Sequence, residues 1–208
     1  MVDKYPNLSP YTYCADNPVR LVDEDGRDIW EISENGKIIN RFEDKSIDQF
    51  HIVDSKGNCI AESETYNAGT FNVLADEYGK TLFIVNGNTD NDLCSSFEFF
   101  ADNMDIEWES MVTTEGKMYL DSNQCGDHTG TFKDIESNGE TIAIHCHNHP
   151  SGNPTSSGIE SKTGDIGFAT KRPDTKCYIY TRDKGYSEYN KNTRHDAIIL
   201  NEFTIYPK

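Results

Sequence analysis

One short segment of the chain concentrates side chains that can bind a metal ion. It reads IAIHCHNHPSG over residues 142–152 and holds three of the chain's six histidines. The apolar start predicts a β-strand, and alternation along that strand puts His145, His147 and His149 on one face and Asn148 on the other. A proline then ends the strand. Imidazoles two residues apart on one face are close enough to share a divalent ion, beside a loop that leaves room for water.

A carboxylate downstream can complete such a site. The tripeptide Gly-Asp-Ile at residues 164–166 predicts the start of a helix, from which Asp165 would return an oxygen ligand to the histidines. Two histidines and one aspartate suit zinc. The alternative interpretation is structural, because paired histidines also occur on sheet edges and an aspartate in a first helical turn is a common capping residue.

The composition predicts a folded, polar, β-rich protein. The 208 residues carry 19 Lys+Arg against 36 Asp+Glu, a formal net charge of −17, and 11% of them are aromatic. The aromatic content argues against a disordered chain. Such an acidic surface repels phosphates, so nucleic acid is not expected as a partner.

Export, anchoring and disulfide signals are weak in this sequence. No apolar run approaches the roughly 18 residues of a membrane span, and the start, MVDKYP, has no apolar core of a signal peptide. We therefore expect no membrane span and no signal peptide in this fragment itself. The six cysteines include no Cys-x-x-Cys, so buried free thiols are expected instead of a disulfide framework or a cysteine zinc site.

Strand-like runs and turns alternate over residues 28–87. The pair Asn35-Gly36 supplies the positive φ angles of a tight hairpin turn between two such runs. The isolated His51 is interpreted as a half-buried strand residue and not as a ligand. The pattern predicts a β meander within a β-rich accessory or linker segment, residues 28–88.

The apolar period changes to that of an amphipathic helix at Asp90. Strands, helices and loops then interleave to the end of the chain, which is typical of α+β or α/β layers. We therefore divide the chain into residues 1–27, the β-rich segment 28–88 and a mixed domain over 89–208. The apolar helical positions are Leu93, Phe97, Phe100, Ala101 and Met104.

The histidine segment resembles the JAB/JAMM metallopeptidase motif, which is His-x-His-Pro followed by a serine and an aspartate. The resemblance extends from about residue 90 to the C-terminus. It implies a JAB/JAMM-like (cytidine deaminase-like) sheet with flanking helices, with His147, His149 and Asp165 as zinc ligands. It also implies that Ser157 helps to bind the oxyanion.

The spacing of the serine and the aspartate departs from the family pattern. In most of the family the serine precedes the aspartate by three residues, which here would make Glu160 the third ligand. Using Asp165 requires a longer loop after Ser157, or the use of Ser161 as the oxyanion residue. We prefer Asp165 because the segment 164–169 resembles the start of the family's helix.

The resemblance further implies a general base that is not a ligand, a glutamate on a strand upstream of the histidines. Glu107 and Glu109 both lie on one face of the strand predicted over residues 106–112. Glu107 is preferred because residues 102–108 resemble the equivalent segment of RHS-borne JAB-like toxins. The alternative for either glutamate is a solvated strand face.

Three other histidines have no assigned chemistry. For His145 a role behind the ligands, a substrate contact and a satisfied strand histidine are all open, and we prefer the last. His128 lies in a polar loop, where a surface residue is preferred over a residue at the rim of a cleft. His195 has no identified partner.

The N-terminal residues resemble a second family. The run Tyr-x-Tyr-Cys-x-x-Asn-Pro-Val at residues 11–19, followed by Asp-x-x-Gly at 23–26, resembles the end of the RHS repeat-associated core of bacterial polymorphic toxins. Effector domains follow this point in that family. The resemblance implies that this chain is the effector end of a larger exported RHS protein and that Met1 is an artificial or fragmentary start. Glu24 stands where the family usually carries proline.

Together the two resemblances imply a zinc-dependent peptidase or isopeptidase that acts as the C-terminal effector of an RHS polymorphic toxin. Its partners would be a protein or peptide substrate and a cognate immunity protein. The alternatives are a hydrolase of a non-peptide amide, a catalytically inactive JAB-like binding module and a structural plug of the RHS shell.

Overall fold

The structure is a computed structural model, and it describes residues 28–42, 47–86, 90–126, 132–194 and 197–200. Over these residues the chain forms two β-sheets and three α-helices. The predicted RHS-like residues 1–27, as well as His128 and His195, lie outside the described residues. No described helix has the length and apolar character needed to span a membrane.

The first sheet contains five strands and is centred on β3. The strands are β1 (Asp28–Ser33), β2 (Ile38–Phe42), β3 (Ile47–Val53), β4 (Cys59–Glu62) and β5 (Tyr66–Asn67). β3 runs parallel to β1 and antiparallel to β4 and β5, and β2 pairs antiparallel with β1. The predicted hairpin at Asn35-Gly36 is present between β1 and β2. The order β2-β1-β3-β4 is nevertheless not that of the predicted meander, because β1 and β3 pair in parallel.

The second sheet contains eight strands and is mixed. They are β6 (Phe71–Glu77), β7 (Lys80–Val85), β8 (Glu109–Thr113), β9 (Met118–Ser122), β10 (Ile142–Asn148), β11 (Lys176–Thr181), β12 (Gly185–Tyr189) and β13 (Ile198–Ile199). Their order is β13-β12-β11-β10-β8-β9-β7-β6. β10 pairs parallel with β11 and antiparallel with β8, so both edges of the histidine strand are occupied.

The three helices pack beside this sheet arrangement. They are α1 (Asp90–Asn103), α2 (Phe132–Ser137) and α3 (Gly164–Lys171). The helical period predicted from Asp90 onwards is confirmed in α1, which buries Leu93, Phe97, Phe100 and Ala101. α3 begins within the segment where the sequence predicts a helix start. The sequence does not predict the short helix α2 or the strands β5, β6 and β12, because their patterns are weak.

An aromatic cluster joins the two sheets in one core. The Phe50 ring on β3 lies 5.5 Å from the Phe83 ring on β7 and 4.9 Å from the Phe100 ring on α1, measured between centroids. Phe100 in turn stacks on Trp108 at 4.0 Å. β7 also pairs with β9, so sheet pairing crosses the predicted boundary at residue 88. The described contacts mark no boundary at residue 88, and the division into 28–88 and 89–208 stays a prediction.

The turn between β1 and β2 rests against the residues that precede β8. Gly36 has φ +81°, and a Cβ added there would lie 2.6 Å from the Ile106 side chain. The Gly36 carbonyl also accepts a hydrogen bond from Thr81 Oγ1 at 2.7 Å. Glycine suits this position because it tolerates both the positive φ and the close approach. The first sheet thus supports the segment around Glu107.

Phe50→Ala tests whether the two sheets form one cooperative core. Removing this fully buried ring is expected to lower the free energy of unfolding by about 3–5 kcal/mol, because a cavity opens between β3, β7 and α1. Urea unfolding followed by circular dichroism and tryptophan fluorescence measures it. Leu74→Ala, at a side chain 54% exposed on β6, is the control and should change stability by less than about 0.5 kcal/mol. Separate transitions for the two probes would contradict a shared core.

Candidate metal centre

The last histidines of the segment converge where β10 ends. His147 Nε2 lies 3.1 Å from His149 Nε2, and the His147 side chain is buried. The backbone N–H of His149 donates to the carbonyl of Tyr180 on β11 at 2.9 Å, which continues the strand pairing past Asn148. His149 Nδ1 lies 2.7 Å from the carbonyl of Asn153. Because a carbonyl only accepts, Nδ1 carries a proton, and Nε2 is the nitrogen that faces His147.

Asp165, the second residue of α3, faces the two imidazoles. Its Oδ1 lies 3.2 Å from His147 Nε2, and its Oδ2 lies 3.5 Å from His149 Nε2. Tetrahedral zinc with bonds of about 2.0–2.1 Å separates its ligand atoms by about 3.3 Å. The 3.1 Å between the two Nε2 atoms and the 3.2 Å from His147 Nε2 to Asp165 Oδ1 are close to that value, while His149 faces the other oxygen, Oδ2. One donor atom from each of the three residues lies within 4.8 Å of the other two. The donor set therefore fits a zinc ion without a large rearrangement.

A reciprocal pair of hydrogen bonds holds Asp165 in place. The backbone N–H of Ser157 donates to Asp165 Oδ2 at 2.6 Å, and the Asp165 N–H donates to Ser157 Oγ at 3.1 Å. Gly164, with φ +52°, lets the chain close here, because an added Cβ would lie 2.2 Å from Ser157 Oγ. The loop between Ser157 and Asp165 is longer than in most of the family, yet it brings the two residues into contact.

The alternative ligand and oxyanion residues point elsewhere. Glu160 and Ser161 are exposed and line a separate surface depression, and neither lines the cavity that contains the histidines. Ser161 Oγ forms a hydrogen bond with Thr163 Oγ1 at 2.6 Å. The geometry therefore brings Asp165, and not Glu160, next to the imidazoles.

The electrostatics of the cluster favour an ionised Asp165. Burial opposes ionisation, but the His147 and His149 imidazoles and the Ser157 N–H outweigh it and hold the pKa of Asp165 well below its usual range. Burial likewise lowers the pKa of His149, yet the adjacent carboxylate dominates, so that pKa is raised. The site therefore offers one firmly negative oxygen ligand beside two imidazoles.

Glu107 lines the same cavity as the three donor residues, but it does not lie in a strand. β8 begins only at Glu109, so the predicted strand over residues 106–112 is wrong at its start. The reason is that the Glu107 N–H donates to the Cys125 carbonyl at 2.8 Å and its own carbonyl accepts from Ser122 Oγ at 2.7 Å. Its side chain is 7% exposed, and burial raises its pKa against the opposing effect of the imidazoles.

Glu109 does not lie on a solvated strand face. It is fully buried, and its Oε2 lies 2.7 Å from Nε2 of His145. The His145 ring also stacks on Phe168 of α3 at a centroid distance of 4.3 Å. The contact with Glu109 pairs one imidazole nitrogen of His145, whereas its buried Nδ1 has no hydrogen-bond partner among the described residues, and the residue lines the same cavity as Glu107. The role of His145 therefore stays a prediction. The two glutamates therefore differ: Glu107 lines the cavity, and Glu109 pairs with His145.

Asn148 ties the Glu107 segment to the histidine strand. Its Oδ1 accepts from the Trp108 N–H at 2.6 Å and its Nδ2 donates to the Ile106 carbonyl at 3.2 Å. Its own N–H donates to the Trp108 carbonyl at 3.1 Å. The sequence alone assigns Asn148 no role. The one feature of the sequence that could have indicated this role is the position of Asn148, a polar residue between two predicted ligands on the opposite face of the strand.

The cavity beside the donor residues has a volume of about 470 Å³ and an unexpected charge. Besides Glu107 and Asp165, its charged lining consists of the basic residues Lys133, Lys162, Lys171 and Arg172. Arg172 forms an ion pair with Glu136 and stacks on Phe168 at 4.2 Å. Among the described residues no ion pair joins the three lysines to a carboxylate. A chain of net charge −17 thus presents a basic wall at this cavity.

Residues 85–170, about two fifths of the chain, match the family model described as JAB-like toxin 1. No curated protein and no solved structure is significantly similar to the chain. The matched segment runs from the end of β7 into α3 and contains Glu107, His147, His149, Ser157 and Asp165. The match supports the prediction of a JAB-like toxin domain in this part of the chain. The mixed sheet with few helices is consistent with a JAB-like α/β fold.

Asn148→Ala tests the link between β10 and the Glu107 segment. The substitution leaves the Trp108 N–H and the Ile106 carbonyl without their side-chain partner. Each unpaired buried group costs about 1–3 kcal/mol, so the free energy of unfolding should fall by about 2–5 kcal/mol. Chemical denaturation measures the loss. Asn138→Ala, at an exposed asparagine after α2, is the matched control and should change the free energy of unfolding by less than about 0.5 kcal/mol. Equal stabilities of the two variants would show that the hydrogen bonds of the Asn148 side chain do not stabilise the fold.

Proposed function

We propose that this chain is a zinc-dependent peptidase or isopeptidase and that it acts as the C-terminal effector of an RHS polymorphic toxin. The observation that carries the proposal is the convergence of His147, His149 and Asp165 at separations suited to zinc, beside the buried carboxyl of Glu107. The match of residues 85–170 to a JAB-like toxin family supports the toxin part of the proposal.

His147, His149 and Asp165 would hold the ion. Bound there, zinc would supply Lewis-acid activation of a water molecule and of a substrate carbonyl. Three protein donors are the usual number in catalytic zinc sites, which keep a fourth position open. The hydrogen bond from His149 Nδ1 to Asn153 and the paired bonds between Ser157 and Asp165 orient two of the three donors in advance.

Glu107 would accept the proton of the attacking water and return it to the leaving amine. Its burial raises its pKa, which makes the carboxyl a better proton acceptor and still allows it to give the proton back. Hydrogen bonds hold Glu107 at the cavity wall. Its own backbone bonds to Cys125 and Ser122, and the Asn148 side chain bonds to the neighbouring Trp108. A carboxylate fixed in this way loses little entropy when it engages substrate.

Ser157 would donate a hydrogen bond to the oxyanion that forms at the substrate carbonyl. Its Oγ already accepts from the Asp165 N–H, so the hydroxyl proton is left to point into the cavity. The residue is exposed and lines the cavity beside the donor residues. A preorganised donor of this kind stabilises negative charge that develops in the transition state.

The basic wall of the cavity favours a substrate segment with acidic groups near the bond that is cleaved. Lys133 on α2, Lys162 before α3 and Lys171 at the end of α3 provide positive charge at this cavity, whereas the chain as a whole is acidic. Without that wall the net charge of the chain would repel an acidic substrate. We therefore propose acidic peptides as the substrate class of choice.

The larger context follows from the residues that resemble the RHS core. A chain with an RHS-like start at residues 11–26 and a JAB-like toxin domain is expected to be delivered as part of an exported protein. A producing cell would need a cognate immunity protein against it. The rival functions are an inactive JAB-like binding module and a plug of the RHS shell, and a complete donor set beside a buried glutamate favours the enzyme over both.

Glu107→Gln separates the enzyme from its rivals. Removing the proton acceptor should lower cleavage of peptides or ubiquitin-like conjugates about 10²–10⁴-fold and relieve growth inhibition in cells that lack the immunity protein, while zinc stays stoichiometric by metal analysis. His147→Ala with His149→Ala should lose both zinc and inhibition. Glu188→Gln, at an exposed glutamate on β12, is the matched control and should inhibit growth like the wild type.

The rival functions predict other outcomes of the same experiment. Undiminished growth inhibition by Glu107→Gln would favour a structural plug. Stoichiometric zinc with no cleavage of any peptide or conjugate would favour a binding module, or a hydrolase of a non-peptide amide if the panel includes one that is cleaved.

Lys133→Gln and Lys171→Gln test the acidic substrate class. Each removes one cation from the cavity wall, so kcat/KM for an acidic peptide should fall about fivefold, the effect of about 1 kcal/mol, while that for a neutral peptide of equal length stays constant. Lys176→Gln, at an exposed lysine on β11 outside the cavity, should leave both unchanged. Equal losses for acidic and neutral peptides would contradict charge recognition.

A further inference from the structure

A second group of ligand atoms lies on the first sheet, outside the JAB-like segment. The imidazole of His51 on β3, the thiol of Cys59 and the carboxylate of Glu62 on β4 offer donor atoms that all lie within 4.8 Å of one another. His51 is half-buried, and the other two residues are exposed. From the sequence alone His51 is interpreted as an ordinary strand residue, because the approach of Cys59 and Glu62 depends on strand register.

A β-bulge brings these three side chains to one face. His51 is directly opposite Glu62 in the antiparallel pair, and Cys59 is opposite Val53, with the register shifted between them. In a regular strand Cys59 and Glu62, three residues apart, would point to opposite faces. One extra residue in β4, next to the 52% exposed Ile60, reverses the alternation, so both side chains lie on the His51 face.

The separation between Cys59 and Glu62 suits a tetrahedral ion with mixed ligands. Cys59 Sγ lies 3.8 Å from Glu62 Oε1. Zinc bonds of about 2.3 Å to sulfur and about 2.0 Å to oxygen would place these two atoms about 3.5 Å apart. A donor set of one nitrogen, one sulfur and one oxygen favours borderline divalent ions such as Zn²⁺ and Co²⁺ over Mg²⁺ or Ca²⁺.

The charges around Cys59 also favour a cation. Glu31 on β1 is the parallel partner of His51, which puts a second carboxylate near the group. A divalent ion would neutralise these carboxylates and stabilise the thiolate.

We propose that His51, Cys59 and Glu62 form a second binding site for a borderline divalent metal ion such as Zn²⁺. The ion would link β4, the end strand in the order β2-β1-β3-β4, to the central strand β3. Its role is to stabilise the edge of the first sheet. The site does not depend on the peptidase function, because it shares no residue with the His147 cluster.

Cobalt titration of the full chain tests this site separately from the first one. The variant His147→Ala with His149→Ala lacks the first site; with its thiols reduced, it should bind one equivalent of Co²⁺ and develop a thiolate-to-cobalt charge-transfer band in the near ultraviolet. Adding Cys59→Ser should abolish the band, and adding His51→Ala should weaken binding at least about tenfold. Adding Cys125→Ser, at another cysteine that forms no disulfide, should leave the band intact.

Thermal unfolding gives a second readout. Saturating Zn²⁺ should raise the Tm of the double-histidine variant, because the ion binds only the folded sheet, and should not raise it when Cys59 is serine. If the double variant does not fold, the wild type should bind one equivalent of Co²⁺ more than Cys59→Ser. No charge-transfer band, a band that survives Cys59→Ser, or equal stoichiometry of wild type and Cys59→Ser would overturn the proposal.

Discussion

The pairing of β10 with β8 on one side and β11 on the other is the constraint on which the candidate metal centre depends. Because both edges of β10 are hydrogen-bonded, His147 has one fixed direction, and the bond from the His149 N–H to Tyr180 extends that order past the end of the strand. Asn148 uses the same strand end to hold the residues beside Glu107. Ligands and proposed base are thus positioned by the backbone of one central strand.

The electrostatic cost of this arrangement points to a shared cation. Imidazole nitrogens 3.1 Å apart repel each other when both present lone pairs, and a buried carboxylate also costs free energy unless it is compensated. A proton or a metal ion between these groups would reduce both the repulsion between the nitrogens and the cost of the buried carboxylate. In the same pair of strands the buried carboxylate of Glu109 is compensated differently, by a direct contact at 2.7 Å with the buried imidazole of His145.

The N-terminal sheet contributes more to the site than its sequence suggests. Aromatic packing links Phe50 to Phe100 and Phe100 to Trp108, and Gly36 contacts Ile106, so both neighbours of Glu107 rest on a core that includes the first sheet. These contacts could not be predicted from the sequence, because they join residues that are far apart in the chain. Likewise, the pattern around Glu109 is that of a solvated strand, and only the tertiary structure shows that this side chain is buried and paired with His145.

What the sequence by itself determined is local: the alternation that puts His147 and His149 on one strand face, the helical period of α1, the helix start at Asp165 and the resemblance to the JAB/JAMM motif. Each of these depends on residues close together in the chain, where period and turn chemistry act directly. Only the tertiary structure decided between Asp165 and Glu160 as neighbours of the imidazoles, between Glu107 and Glu109 at the cavity, and on the grouping of His51 with Cys59. Those choices depend on loop closure, strand register and a bulge, which are set by packing between distant segments.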